Sequence, residues 1–272
     1  MSLILSELVD EFSQYPEVSA IALAGSKVTD YEDAFSDHNL YLYVTAPLAL
    51  AARQRVADRL LRYVEMNNHF WETEDDGQLE DGSEIRLIYR SLTDFEQALI
   101  GVVEHHQAKM GMTTCLWYNL VHAKVLFDRT GAYAALQKRF DVPYPAGLKQ
   151  AVLQRNHGLL RRHMPAFIFQ MRKAVSRQDR VALNQVMAKF LASYFDILFA
   201  INEQLHPGEK KLVSYVISRC QWIPDQLEPR INTLLRLAAE ASEDLDAEVN
   251  LLIDALDVTI RLAGRHFSKE AL

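Results

Sequence analysis

Two short runs constrain the fold of this chain more than any other stretch. Ala20-Ile21-Ala22-Leu23-Ala24-Gly25-Ser26 is an apolar strand that stops at a Gly-Ser turn. Ten residues later, Ser36-Asp37-His38-Asn39-Leu40-Tyr41-Leu42-Tyr43 is a second strand that opens on an acid. Residues two apart on a strand share a face, so Asp37 and Asn39 point the same way with Tyr41 and Tyr43 behind them. His38, Leu40, Leu42 and Val44 point the other way, toward a core. Backbone N–H groups that follow a glycine can approach a phosphate closely, and a serine hydroxyl adds a donor. A carboxylate nearby supplies the hard oxygen that a divalent ion prefers.

This layout resembles the signature of the nucleotidyltransferase superfamily (polymerase-beta-like fold), which includes uncharacterised nucleotidyltransferase-like proteins and the aminoglycoside and lincosamide nucleotidyltransferases. The resemblance implies that Gly25, Ser26, Lys27 and Ser36 hold a triphosphate. It implies that Asp37 and Asn39 hold the metal, with Asn39 an amide where the family has a second acid. The third acid is expected on a neighbouring strand, Glu84-Ile85-Arg86-Leu87-Ile88-Tyr89-Arg90, where Glu84, Arg86, Ile88 and Arg90 share a face. The family's pattern of an acid before an apolar-apolar-Tyr-Arg string falls on Arg86, and Glu84 stands two residues earlier. Two placements follow. In one, Arg86 lies opposite Asp37 and replaces the metal as the positive charge, an Arg–carboxylate fork being a stable substitute. In the other, Arg86 runs along the sheet edge and Glu84 serves as metal ligand and catalytic acid.

The resemblance extends to Val125-Leu126-Phe127-Asp128-Arg129-Thr130-Gly131, to the run Tyr194 to Glu203, and to Pro207-Gly208-Glu209-Lys210-Lys211. In the antibiotic-modifying relatives the helical domain helps build the substrate pocket, which casts Glu203 or Asp196 as a base and Lys210 as a phosphate contact. The plain alternative is a solvated helix end beside a charged cap. The function implied is magnesium-dependent transfer of an AMP-type group from ATP, or another nucleoside triphosphate, to a hydroxyl of a small molecule. Its rival is a catalytically degenerate protein of the same fold that binds a ligand or partner. A third class is a toxin-type helical-domain RNase, on the Arg-x4-His spacing of Arg261 and His266.

Composition narrows the partners. The 272 residues carry a net charge of −7 and no basic tract. Nucleic-acid binders draw most of their affinity from basic surface, so a nucleic-acid partner is not expected. No run has the length of a membrane span, and Met1-Ser2-Leu3-Ile4-Leu5-Ser6-Glu7 turns polar too early for a signal peptide. Cys115 and Cys220 read as two reduced, packed thiols of a cytoplasmic protein. The histidines show no zinc spacing. A homodimer is left open.

The pattern of elements predicts an α+β chain with a nucleotidyltransferase-like mixed sheet and helices over 1–142 and an all-α bundle over 143–272. Helices are expected at 3–12 and 48–66, and strands at 18–23, 38–44, 69–74 and 84–89. Asp75-Asp76-Gly77 reads as a loop, and the acid run Glu72 to Asp81 as a solvated hairpin tip, its alternative being attraction of a cationic substrate such as an aminoglycoside. Thr93 reads as an N-cap with Glu96 as its capping-box partner. Further helices are expected at 113–123, 148–176, 179–204, 211–219, 224–237 and 245–266. Trp71, Trp117 and Trp222 are expected in core and rim.

Overall fold

The computed structural model describes residues 3–28, 33, 36–70 and 72–270, the side chains of 265–270 excepted. Trp71 and the side chain of His266 therefore lie outside the described residues. The chain divides into two compact units. Unit 1 is Met1–Ile100 with Leu116–Val142, and unit 2 is Gly101–Cys115 with Pro143–Leu272.

Unit 1 is built on a mixed sheet. Its strands are β1 (Val18–Ala24), β2 (His38–Val44), β3 (Tyr63–Asn68), β4 (Thr73–Gln78), β5 (Glu84–Ser91) and β6 (Lys124–Asp128), in the spatial order β3-β4-β5-β2-β1-β6. β2 and β5 run parallel; the other neighbours are antiparallel. One face is closed by α1 (Leu3–Ser13) and α2 (Leu50–Leu60). Leu5, Leu8, Phe12, Val56 and Leu60 pack there on Ile21, Leu40, Leu42, Ile85 and Leu87. The alternation of β2 places His38, Leu40, Leu42 and Val44 toward this core, as the period of two requires.

The opposite face is buried along Ala20, Ala22 and Ala24 of β1 and is covered toward the C-terminal end of β2. There the rings of Phe95 and Tyr133, from α3 (Leu92–Val103) and α5 (Ala132–Phe140), lie 5.2 and 4.7 Å from the ring of Tyr43. Burial pushes the Tyr43 phenol up to about 12, against the lowering pull of Arg90. Trp117, from α4 (Cys115–His122), donates its indole N–H to the Phe140 carbonyl at 2.8 Å.

Several local expectations are corrected. The helix expected over 48–66 ends at Leu60, and Tyr63–Asn68 is a strand. Asp75-Asp76-Gly77 is not a loop but the middle of β4; the turn to β5 comes at Leu79–Ser83, where Gly82 takes φ 84°. The N-cap of α3 is Ser91, whose Oγ accepts from Asp94 N at 3.2 Å, rather than Thr93. Pro165 divides the helix expected over 148–176 into α6 (Ala146–Arg161) and α7 (Phe167–Ser176), because a proline supplies no N–H to the helical ladder.

In unit 2, α6 and α7 pack with α8 (Arg180–Ile201), α9 (Leu212–Arg219), α10 (Leu227–Glu240) and α11 (Leu245–Glu270). Asp179 caps α8 by accepting from Ala182 N at 3.0 Å. The second half of α8, Ser193 to Ile201, is buried on all sides, the mark of a central helix. The segment 101–115 is fastened to these helices by a polar knot, and by His206 N donating to the Thr114 hydroxyl at 2.8 Å. Asp196 accepts from the Thr113 backbone N–H at 2.9 Å, the Thr113 hydroxyl at 2.7 Å and Asn156 Nδ2 at 3.1 Å. Asn156 Oδ1 in turn accepts from Gly111 N at 3.2 Å.

The order of elements, a mixed sheet first and helices after it, is the α+β class. No helix among the described residues is long and apolar enough to cross a membrane.

Candidate functional site

The site grows from the turn after β1. Gly25 takes φ 81°, a backbone conformation open to glycine at no steric cost. A Cβ at this position would meet Asn39 Nδ2 at 2.8 Å. The glycine is thus needed twice, for its dihedral and for the approach of the Asn39 amide. A single 3₁₀ turn, Ser26–Val28, follows, closed by Val28 N donating to the Gly25 carbonyl at 3.3 Å.

Strand register does the rest. Ala24 faces Asn39, Asn39 faces Arg86, Arg86 faces Asp76 and Asp76 faces Glu65. Directly opposed residues share a face, so one row of side chains crosses the sheet on its open side. Asp37, just ahead of β2, is buried at the mouth of this row. Arg86 Nε lies 3.6 Å from Asp37 Oδ2 and 3.7 Å from Asp76 Oδ1. Of the two placements open to Arg86, the one opposite Asp37 is observed. Asp76 is the residue that sequence reasoning missed. The alternation Glu74-x-Asp76-x-Gln78 carries the signal for it, once the stretch is read as a strand.

Of the acid run, Glu80 and Asp81 form an exposed hairpin tip as expected, while Glu72 to Asp76 do not. Glu72 forms a two-pronged pair with Arg90, at 2.6 Å to Nε and 2.5 Å to Nη2, beneath the covered part of the face. Asp75 is fully buried against Arg53, and Glu74 is only 4 % exposed. Burial raises the Glu74 pKa, with the neighbouring Asp76 adding to it. A cleft of about 360 Å³ opens on this face, lined by Tyr63, Glu65, Glu74, Asp76, Glu84 and Arg86.

The other expected site residues fall as follows. Glu84 is the first residue of β5, exposed, paired in register with Gln78. Ser36 is tied into its own turn: its hydroxyl donates to Asp33 Oδ1 at 3.2 Å and accepts from Asp33 N at 3.0 Å. Ser26 and Lys27 stand on the 3₁₀ turn beside Gly25. Gly25, Asp37 and Asn39 are thus brought to the same end of the sheet as Arg86.

Glu203 and Lys210 belong to unit 2. Glu203 ends α8 in a left-handed conformation, φ 53°, and pairs with Lys149 at 2.7 Å. Lys210 is exposed just before α9. Asp196, the other candidate base, is the centre of the buried knot. Burial lifts its pKa to about 6, against the lowering effect of its bonds from Thr113 and Asn156. Cys115 Sγ lies 3.4 Å from His206 Nδ1. Burial pushes the thiol up to about 12 and the imidazole down to about 4, so the two are held neutral and form no thiolate–imidazolium pair. On α11, Arg261 is exposed, while the side chain of its expected partner His266 lies outside the described residues.

The resemblance stated above implies a magnesium ion on Asp37, Asn39 and Glu84. The residues present do not fit it. A guanidinium already stands against the Asp37 carboxylate, and Asn39 is neutral with its amide pressed on Gly25. Among the described residues, no three His, Cys, Asp or Glu side chains are grouped to hold a metal ion.

Comparisons with known proteins give a family model described as Domain of unknown function (DUF4037), which matches residues 112–212. No curated protein matches the chain. Among solved structures, the chain is similar to a nucleotidyltransferase-like protein from Exiguobacterium sibiricum. That likeness has 13% identity and a TM-score of 0.43, and covers 99% of this chain and 79% of that one. It is also similar to the Thermotoga maritima CCA-adding enzyme complexed with tRNA, at 12% identity and a TM-score of 0.32, over 92% of this chain and 77% of that one. Identities this low leave the chemistry of the site to be read from its own residues.

Proposed function

We propose that unit 1 is a nucleotidyltransferase-type domain that binds a ligand on the open face of its sheet and does not carry out metal-dependent transfer. The observation that supports this most is Arg86, standing between Asp37 and Asp76 at 3.6 and 3.7 Å. Nucleotidyl transfer asks the protein chiefly for position and for neutralisation of phosphate charge, usually by divalent ions on carboxylates. Here one monovalent charge stands in that place, and Asn39 has given up the second negative ligand. Transfer of an AMP-type group to a small hydroxylated molecule requires this position to be cleared for the ion.

The charges near Arg86 disfavour a nucleotide as well. A triphosphate on this face meets Asp37, Asp76 and Glu84, with the Arg86 guanidinium already shared between two of them. The experiment is an isothermal titration of ATP with and without Mg2+, together with radiolabelled ATP, Mg2+ and a panel of hydroxylated acceptors. Expected are affinities weaker than about 1 mM in both titrations and no labelled product. Mg2+-dependent ATP binding, or a labelled product lost in Asp37→Ala, overturns the reading and restores the transferase, with Asp37 and Glu84 as its acids and Ser26 and Lys27 on phosphates.

A further inference from the structure

We propose that the cleft on the open face of unit 1 binds a small organic polycation, a molecule carrying two or more ammonium groups on a short chain. This names the ligand class for the binding reading above and rests on it.

Glu74 is only 4 % exposed, it lines the cleft, and its carboxylate accepts no hydrogen bond and joins no ion pair among the described residues. With no donor from the chain, its carboxylate oxygens are open only to the solvent of the cleft. The neighbouring buried acid on the same strand, Asp75, accepts bonds from Arg53, Tyr89 and the Asn67 backbone. The chain therefore supplies donors to the acid on one face of β4 and none to the acid on the other, where the cleft lies.

The surroundings set the sign of the missing partner. Glu65, Asp76 and Glu84 line the same cleft, and Arg86 is the cation among them. Arg86 is 45% exposed and already shared between Asp37 and Asp76. An anionic ligand is repelled by such a lining, and a cation is drawn to it.

Spacing separates an organic cation from a metal ion. Glu74 and Asp76 are two residues apart on one strand, about 6.7 Å along the chain. Glu65 lies across from Asp76 on β3 and Glu84 on β5 beyond. Carboxylates spread over three strands suit ammonium groups joined by methylenes, each pairing with its own acid. A divalent ion needs its ligands converged on one point within about 2.0–2.6 Å. At the rim, Tyr63 is 59% exposed, and its hydroxyl donates to Glu65 Oε1 at 2.9 Å. That places an aromatic ring beside the carboxylates, where it can receive the alkyl chain or an ammonium group.

The test is an isothermal titration of the full chain with spermidine in low-salt buffer, without nucleotide. Expected is saturable one-to-one binding that weakens as salt is raised. Glu74→Gln and the exposed Glu84→Gln each weaken it about tenfold, the size of one charge-assisted contact. Glu228→Gln, an exposed acid on α10 of unit 2, leaves it unchanged. Glu84→Gln keeps the test decisive if the buried Glu74 variant fails to fold. No saturable binding overturns the proposal. So does equal weakening in Glu84→Gln and Glu228→Gln, which marks diffuse attraction to a chain of net charge −7. Stoichiometric displacement of spermidine by Mn2+ alone overturns it too, by giving the cleft to a metal. Because no nucleotide is present, a labelled transfer product in the separate ATP assay sinks the binding-only reading and leaves the spermidine result standing.

Discussion

Asp75 and Asp76 are neighbours on one strand, and each has an arginine, yet the two pairs do different work. Asp75 points to the helix-covered face. Its side chain is 1% exposed and that of Arg53 5%, with Nη1 at 3.1 Å from Oδ1. Arg53 Nη2 also donates to Asn67 Oδ1 at 2.8 Å, Tyr89 donates its hydroxyl to Asp75 Oδ2 at 2.8 Å, and the guanidinium stacks 4.7 Å from the Tyr89 ring centroid. Asp76 points to the open face, where its side chain is 33% exposed and its arginine is shared and more distant. The first pair closes a buried network. The second holds acids in place on a surface that still has capacity to bind. The alternation of a strand thus lets two adjacent identical residues serve structure and site separately.

The largest effect is expected on the closed side. Removing one member of a buried pair strands the other charge in low dielectric, at about 3–5 kcal/mol. Arg53→Ala and Asp75→Ala are each expected to lose that much in urea unfolding. The double change Arg53→Met with Asp75→Leu recovers much of it, because well-packed apolar residues avoid the desolvation cost. Losses under about 1 kcal/mol, the range of surface pairs, break the comparison by making both pairs alike.

This contrast also explains what the sequence disclosed. β1 and the Gly25 turn were legible because a continuous apolar run stops at Gly-Ser, and β2 because its two faces differ in polarity. The shared face of Asp37 and Asn39, and that of Glu84 and Arg86, followed from the same period. β4 was not legible. Thr-Glu-Asp-Asp-Gly-Gln has the composition of a turn, and it becomes a strand through partners distant in sequence: Arg53, Tyr89 and Arg86. β3 was hidden for a related reason. Val64 and Met66 continue the apolar spacing of α2, and only the pairing with β4 decides the matter. Asp196 read as a base because an acid in an apolar helix invites a catalytic role. Its donors, Thr113 and Asn156, lie 83 and 40 residues away.

Asp196 extends the comparison to a third acid, buried like Asp75 but held by neutral donors without a cation. Burial raises its folded pKa to about 6, above the ordinary aspartate value of 3.8. The folded state therefore binds the proton more tightly. Its stabilising contribution is complete below about pH 4 and is lost as pH rises through 6, a change of about 3 kcal/mol. Asp196→Asn, which cannot titrate, is expected to flatten that slope. Urea unfolding of both proteins at pH 4, 5, 6 and 7 gives the difference curve. Parallel curves show that the neutral donors alone hold the charge as well as an arginine does.

Gly25 tests how firmly the open side is built. Alanine at φ 81° costs about 1–2 kcal/mol for the left-handed backbone. Its Cβ also drives into Asn39, at 2.8 Å from Nδ2. Gly25→Ala is expected to destabilise by about 2 kcal/mol, the dihedral cost with a smaller clash added. Adding Asn39→Ala recovers the clash and not the dihedral cost. If the double variant is no better than the single one, Asn39 yields freely and the row it starts is soft.

The smallest effect is expected at Arg86. Its guanidinium is 45% exposed and stands 3.6 and 3.7 Å from its two carboxylates, a geometry that in water is worth about 0–1 kcal/mol. Arg86→Gln is therefore expected to shift the unfolding free energy by less than about 1 kcal/mol, and by less still in high salt. The same change leaves Asp37 and Asp76 without their shared cation, so spermidine affinity is expected to rise rather than fall. A large loss of stability in Arg86→Gln makes this arginine a second structural pair and removes the distinction between the two faces of β4. Unchanged stability with tighter spermidine binding places it where the comparison puts it, as a charge held in the cleft for the sake of the site.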